Sequence, residues 1–402
     1  MPASTDSAYA PVNDSLSGRK GVLVGGCSAH FLHDGLTDSL YVLLPLWAQA
    51  FGLSHTQVGL LKSAFSGATA ASQLPLGMLS ERLGERTLLA LGLTIAGVIF
   101  AFGAYSANYE MLILCLLLSG LACGVQHPLS SSIISRAYAQ GKRRVALGIY
   151  NFAGDMGKVV VPFCVATVAM WYGWREGMIT YGIVLGCAGL ALLWGLSKLG
   201  TALAPPAAHA SANGKGWGLK DARGFTVLST IHLLDDVSRS GFLTFLPFVL
   251  IAKGASTGSV GFALALLFGG GAAGKLACGL LAERLGLIRT VVTTELATGV
   301  LVLLIIVLPL NAALALLPLL GVAMNGTSSV LYGTVGEFVE PHRQARAFGL
   351  FYTVGSSSSA VAPLVFGMLS DWQDPGFSLI FSALAAIATL PLCLALRRHL
   401  TH

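Results

Sequence analysis

Twelve apolar stretches follow one another through the chain, at about 21–49, 56–80, 86–106, 110–136, 144–170, 176–198, 224–252, 257–281, 288–309, 312–338, 344–370 and 375–396. A helix needs about 20 apolar residues to cross the hydrocarbon of a bilayer, so each stretch is long enough to span one. No other feature narrows the fold as far. A backbone in lipid must satisfy its own N–H and C=O groups, which leaves bundled helices for segments of this length. Those beyond 25 residues can tilt or kink at Gly and Pro. Charge agrees: Asp, Glu, Lys and Arg make up 10% of the 402 residues and apolar residues 54%, against about 25% charged in a soluble protein. A soluble enzyme, a disordered chain and a nucleic-acid-binding domain are excluded. The seven cysteines (27, 115, 123, 164, 187, 278 and 393) lie within apolar runs and form no C-x-x-C pair. They read as small core residues. No phosphate loop, Ser-His-Asp motif or metal-spaced His/Cys cluster appears, so neither enzyme activity, metal nor cofactor is expected.

The expected organisation is a cytoplasmic tail (1–20), a six-helix bundle (21–198), a cytoplasmic linker (199–223), a second bundle (224–397) and a short tail (398–402). The first 20 residues lack the charged start, apolar run and cleavage site of a signal peptide. The linker region is rich in Ala, Gly, Pro and Ser. If both termini and the linker are cytoplasmic, 18 Lys and Arg fall in inside loops and termini and only Arg175 and Lys253 outside. Lys62, Lys158, Arg239 and Lys275 remain within spans. The positive-inside rule then sets both termini in the cytoplasm, with an even number of crossings.

The two halves repeat. A shift of 202 residues carries His30 onto His232, Asp34 onto Asp236, Pro45 onto Pro247, Gly77 onto Gly279, Glu81 onto Glu283, Arg82 onto Arg284 and Gly84 onto Gly286. A shift of 201 carries Gly148, Gly154, Pro162 and Trp171 onto Gly349, Gly355, Pro363 and Trp372. An even number of spans precedes the second copy, so the repeats are parallel. Parallel six-span repeats are a two-bundle transporter layout, with the solute near midplane between the halves.

The loop from Gly77 through Glu81, Arg82, Gly84 and Glu85 to Arg86 resembles the G-x-x-x-D-R-x-G-R-[RK] signature of the major facilitator superfamily. Within that superfamily, Ser28 to Asp34, Leu44-Pro45, Gly124 to Pro128 and Gly148 to Pro162 are similar to the fosmidomycin-resistance group of bacterial exporters. The resemblance implies an all-α membrane fold of 12 helices in two parallel bundles, and proton-driven efflux of small molecules. It also makes the loop residues Gly77, Glu81, Arg82, Gly84 and Arg86, with Glu283 and Arg284 in the second copy, a conformational latch. Glu81 is expected to face the start of span 11. Glu81 stands where Asp is usual, Glu85 where a basic residue is usual, and Asp155 and Lys158 are charged where relatives carry small or amide side chains.

Ionisable residues inside spans are costly and mark function. His30, Asp34 and Asp38 share one helical face of span 1 at i, i+4 and i+8. Asp34, near midplane with His30 beside it, is the expected proton carrier, and Asp236 with His232 its counterpart in span 7. For Asp38 and His33, structural roles fit equally. Asp235 and Arg239 are spaced to pair at i, i+4, as are Asp155 and Lys158 at i, i+3 in span 5. Lys158 can instead face the cavity and attract an anion. Lys62 either adds to that positive field or snorkels to the outer interface. Gln126, His127 and Pro128 are expected to break span 4, and Asn325 with the residues after it to break span 10. These residues, with Tyr150, Asn151, Tyr332 and Tyr352, are candidate cavity liners.

The leading expectation is a proton-coupled exporter of a small molecule or drug, an anion among the candidates, across a bacterial inner membrane, working as a monomer by alternating access. Its partners are the solute, protons and the bilayer, without nucleic acid. Uptake of an organic anion by symport is the alternative; a membrane-embedded sensor or lipid-acting enzyme fits less well.

Overall fold

A computed structural model describes residues 16–138, 142–198, 219–340 and 344–400. The chain forms α1 (Leu16–Phe51), α2 (His55–Leu83), α3 (Glu85–Gly103), α4 (Tyr109–Cys123), α5 (Gln126–Ala137), α6 (Arg143–Tyr172), α7 (Trp174–Lys198), α8 (Ala222–Ala252), α9 (Thr257–Leu285), α10 (Leu287–Val307), α11 (Leu310–Thr334), a 3₁₀ turn (Val335–Phe338), α12 (Gln344–Trp372) and α13 (Pro375–Leu396). Helices α4 and α5 are two halves of one crossing, so these elements make 12 crossings. Among the described residues, nine stretches pass on length and hydropathy alone. The other three crossings, α1, α2 and α8, hold most of the polar groups discussed below.

Two expectations about local structure change. Helix α1 begins at Leu16, inside the expected 1–20 tail. Span 10 is unbroken, because α11 runs straight through Asn325. There the polar side chains bond within the helix: Asn325 donates to the Gly321 carbonyl and Ser328 to that of Asn325. Span 4 does break, at Gly124-Val125, with Pro128 tolerated in the first turn of α5.

The repeat is visible in the backbone. Gly52 and Gly254 turn at φ of 63° and 92°, Gly84 and Gly286 at 86° and 83°, values that favour glycine. Ser54 and Ser256 each cap the next helix, accepting from the backbone N–H of Gln57 and Ser259. Lys253 and Arg175, the two basic residues assigned neither to the inside set nor to spans, have local tasks. Lys253 donates to the carbonyls of Ile306 and Leu308 at the end of α10. Arg175 lies over the Trp174 ring and donates to the Ser106 carbonyl.

The bundles meet along α2 with α12 and α6 with α9. Glycines let these helices touch: a Cβ on Gly59 would strike the Pro363 backbone, on Gly367 that of His55, on Gly261 the Ala166 side chain, and on Gly258 that of Met170. Asp371, in the last turn of α12, accepts from the backbone N–H groups of His55 (2.7 Å) and Thr56 (2.9 Å). One bundle thus caps a helix of the other. Gly77 and Gly279 lie 18 residues beyond Gly59 and Gly261, about five turns along the same faces, yet among the described residues nothing lies within 4 Å of a Cβ built on them. Among the described residues, the bundles touch at the Asp371 end and part toward the end carrying Arg82 and Arg284.

Candidate functional site

The site begins where α6 docks on α1. A Cβ on Gly154 would collide with the His30 ring, and one on Gly157 with the Phe31 backbone. The bare glycine face therefore brings Lys158 onto the His30–Asp34–Asp38 face of α1. Asp34 is buried, and four groups converge on its carboxylate. Oδ2 lies 3.3 Å from Lys158 Nζ and 3.2 Å from His30 Nε2. Oδ1 lies 3.1 Å from His33 Nδ1 and 3.7 Å from His127 Nε2. The three imidazoles meet edge to face, with His127 packed on both His30 and His33.

His30 carries an informative constraint. Its Nδ1 lies 2.9 Å from the Tyr150 carbonyl oxygen, an atom that can only accept, so the hydrogen-bond network assigns a proton to Nδ1. In a neutral ring Nε2 would then aim a lone pair at Asp34 Oδ2. A further proton is required between them, on the imidazole or on the carboxylate.

Lys158 therefore pairs with Asp34 rather than with Asp155. Asp155, displaced about 60° around the helix from Lys158, reaches across the bundle interface to Lys275 of α9, whose Nζ lies 2.6 and 2.8 Å from its two oxygens. The i, i+3 expectation fails because packing aims the two charges at different helices.

The second half repeats the plan with changed details. Tyr150 stacks on His30 at 4.1 Å, and Phe351, its equivalent 201 residues on, stacks on His232 at 4.3 Å. Gly355 packs on His232 as Gly154 does on His30. Asp236 is paired with Arg239, and Ser359, equivalent to Lys158, lies 3.5 Å from it. The expected Asp235–Arg239 pair is thus replaced by Asp236–Arg239. Adjacent residues point about 100° apart, and Asp235 turns into the bundle toward Glu295 of α10. Tyr332 lies against His232 and stacks on the exposed Tyr352.

Other candidates sit apart from this cluster. Gln126 is buried and donates to Ser130 Oγ. Tyr150 is buried beneath His30, meeting it with ring and carbonyl rather than lining a cavity. Asn325 serves its own helix, and Asn151 is exposed. Lys62 neither snorkels nor faces open space: it is buried, donates to the Thr37 carbonyl and lies over the Tyr41 and Phe65 rings. A caged ammonium satisfies itself this way.

At the open end, Gly84 turns the chain between α2 and α3, and Glu85 is ion-paired with Arg136 and accepts from Ser132. That pairing gives the departure at Glu85 a partner. Arg86 is half-buried; Arg82, Glu283 and Arg284 are exposed. The Glu81 side chain and those of 341–349 lie outside the described residues, and with them the expected latch contact. His30, Asp34 and His127 bring cation-binding atoms within 4.8 Å of one another, but Lys158 already supplies the positive charge at that carboxylate.

The description Major Facilitator Superfamily fits residues 26–225 and 228–401, nearly the whole chain. The probable L-galactonate transporter of Escherichia coli is 30% identical over 34% of this chain and 30% of its own length. The fosmidomycin resistance protein of the same organism is 23% identical over 44% of this chain and 43% of its own. The chain spans about a third of the length of the first curated relatives it matches. A bacterial homologue of the human lysosomal transporter Spinster, solved inward-facing and occupied, shares the fold with a TM-score of 0.80 at 17% identity, covering 96% of this chain and 98% of that one.

Proposed function

Because the chain belongs to the major facilitator superfamily, and is thereby a multi-pass membrane transporter, we propose that it moves a small organic anion together with a proton, with Asp34 and Lys158 as the coupling pair. The observation that carries this reading is the Asp34 carboxylate held between Lys158 and a His30 whose second nitrogen demands a shared proton. Protonating Asp34 removes the charge that holds Lys158. An unpaired ammonium in a membrane costs about 2.5–3.5 kcal/mol on insertion scales, and an arriving anion offsets that cost. Proton and anion therefore favour each other in the same state, the linkage expected of co-transport. His30, His33 and His127 provide the proton path to Asp34. Asp155–Lys275 spans α6 and α9 and must rearrange as the bundles rock.

This supports symport of an organic anion over the exporter expectation, since an antiporter needs its two ligands to exclude each other. Export remains the second reading, favoured by similarity to the fosmidomycin resistance protein. The 18-to-2 distribution of basic residues supports a bacterial cytoplasmic membrane with the Arg82 end and both termini inside. Vesicles of both orientations separate the readings, with labelled galactonate and fosmidomycin as probes. Symport predicts accumulation of the carboxylate in right-side-out vesicles driven by external acid, lost in Asp34→Asn while exchange or binding persists. Accumulation of fosmidomycin in everted, acid-filled vesicles would establish export instead.

A further inference from the structure

Four cations sit within the spans: Lys62, Lys158, Arg239 and Lys275. Lys158 is paired with Asp34, Lys275 with Asp155 and Arg239 with Asp236, and Lys62 lies in the field of Asp38. Two further carboxyls remain. Asp235 of α8 is 2% exposed and Glu295 of α10 is 1% exposed, and among the described residues neither forms an ion pair. Their carboxyls lie within hydrogen-bonding reach of each other. Among the described residues, no hydrogen bond reaches Asp235 Oδ2 or either Glu295 oxygen, all of which are buried.

The neighbours offer no compensating charge. Along α8, Asp236 and Arg239 are occupied with each other, and Arg239 acts on Asp235 only as that shared charge. From α11 come the neutral Tyr332, near Asp235, and Thr327, whose hydroxyl donates to Thr294 and also lies within reach of Glu295 as an uncharged partner. From α13 comes the Cys393 thiol. Two ionised carboxylates facing each other without a cation would be prohibitively costly in a membrane. Two acceptors in contact need a hydrogen between them, as in other carboxyl pairs that share one proton.

We propose that Asp235 and Glu295 hold a single shared proton, making a second proton-binding site in the C-terminal bundle, separate from the Asp34 cluster. It stands apart from the Asp34 reading and survives that reading's failure. A bundle that carries its own proton can respond to pH while Asp34 is charged.

The experiment is infrared spectroscopy of the full-length protein in lipid nanodiscs at neutral pH, in sodium and in choline chloride. A carboxylic-acid C=O band present in the wild type persists in Asp34→Asn, which separates the two sites. Glu295→Gln and Asp235→Asn each leave one buried carboxyl that keeps the proton, so the band shifts but persists undiminished in both, and only the double substitution removes it. If an amide variant does not fold, wild-type protein carrying glutamate labelled with ¹³C at the side-chain carboxyl still decides, since Glu295 is the one buried glutamate among the described residues and the band must then respond to the label. No persistent acid band would overturn the proposal, as would stepwise loss of two bands, which means one proton on each carboxyl. A band that vanishes on adding sodium would also overturn it, identifying a sodium site.

Discussion

Asp371→Asn tests how the two bundles are held shut. Asp371 accepts from the His55 and Thr56 backbone N–H groups at 2.7 and 2.9 Å, and His55 Nδ1 lies 3.1 Å away. An amide offers one oxygen to these donors and turns its own NH₂ against the rest. It loses the charge, one backbone bond and the His55 ion pair. Both side chains are 32% exposed, so water screens the ionic part heavily. A side-chain helix cap contributes about 0.5–2 kcal/mol, and a charge at a helix N-terminus about 0.3–1 kcal/mol. A net loss of about 1–2 kcal/mol moves the equilibrium between closed and open seal by a factor of about 5 to 30. Dyes on Ala107→Cys, in the loop before α4, and Asn311→Cys, in the first turn of α11, exposed positions on opposite bundles at this end, report that opening by single-molecule energy transfer once the native cysteines are replaced. The low-transfer population should grow by that factor. An unchanged distribution in a folded Asp371→Asn protein would refute the seal.

Three further outcomes are expected. Gly157→Ala places a methyl on the Phe31 carbonyl, whereas the same change at Gly279 meets open space; the first should lower the melting temperature by the equivalent of about 1–3 kcal/mol and the second barely move it. Lys275→Gln strands Asp155, partly exposed, so a loss of about 1–3 kcal/mol is expected; adding Asp155→Asn should recover most of it, and additive losses in the double-mutant cycle would contradict the pair. Asp221 caps α8, and bonds from the Gly224 N–H, then His399 and the Arg223 N–H, hold its carboxyl below the usual carboxylate range. Its contribution is therefore present above about pH 4 and lost as pH falls through the lowered value. Hydrogen exchange at the Gly224 amide should accelerate over that acid window relative to its intrinsic rate, and show no such step in Asp221→Ala.

Whatever depends on one helix at a time was legible in the sequence. Hydrophobic run length supplied the crossings, and the 202-residue offset supplied the shared settings of His30 with His232 and Gly84 with Gly286. The spacing of His30 and Asp34 placed them together on α1. Pairing between helices was not legible. An i, i+3 or i, i+4 rule sees only one helix, so it matched Lys158 with Asp155 and Arg239 with Asp235, while glycine-led docking aimed these groups elsewhere. Nor could it choose between Asp235 and Asp236, both within reach of Arg239. Glu295 escaped notice, although a lone acid in an apolar run is itself a signal. The Asp371 cap joins residues 316 positions apart, and no local pattern marks it.

The central claim is that Lys158 keeps Asp34 charged, so that losing the cation obliges Asp34 to take up a proton. Infrared spectra of protein carrying aspartate labelled with ¹³C at the side-chain carboxyl test this without knowledge of the solute. Lys158→Gln should gain labelled carboxylic-acid intensity at neutral pH beyond that which Asp235 contributes in the wild type, and Lys158→Gln with Asp34→Asn should lose the gain again. If Lys158→Gln gains no such intensity, or the gain survives removal of Asp34, the proton belongs to another group and the coupling assigned to this pair is wrong.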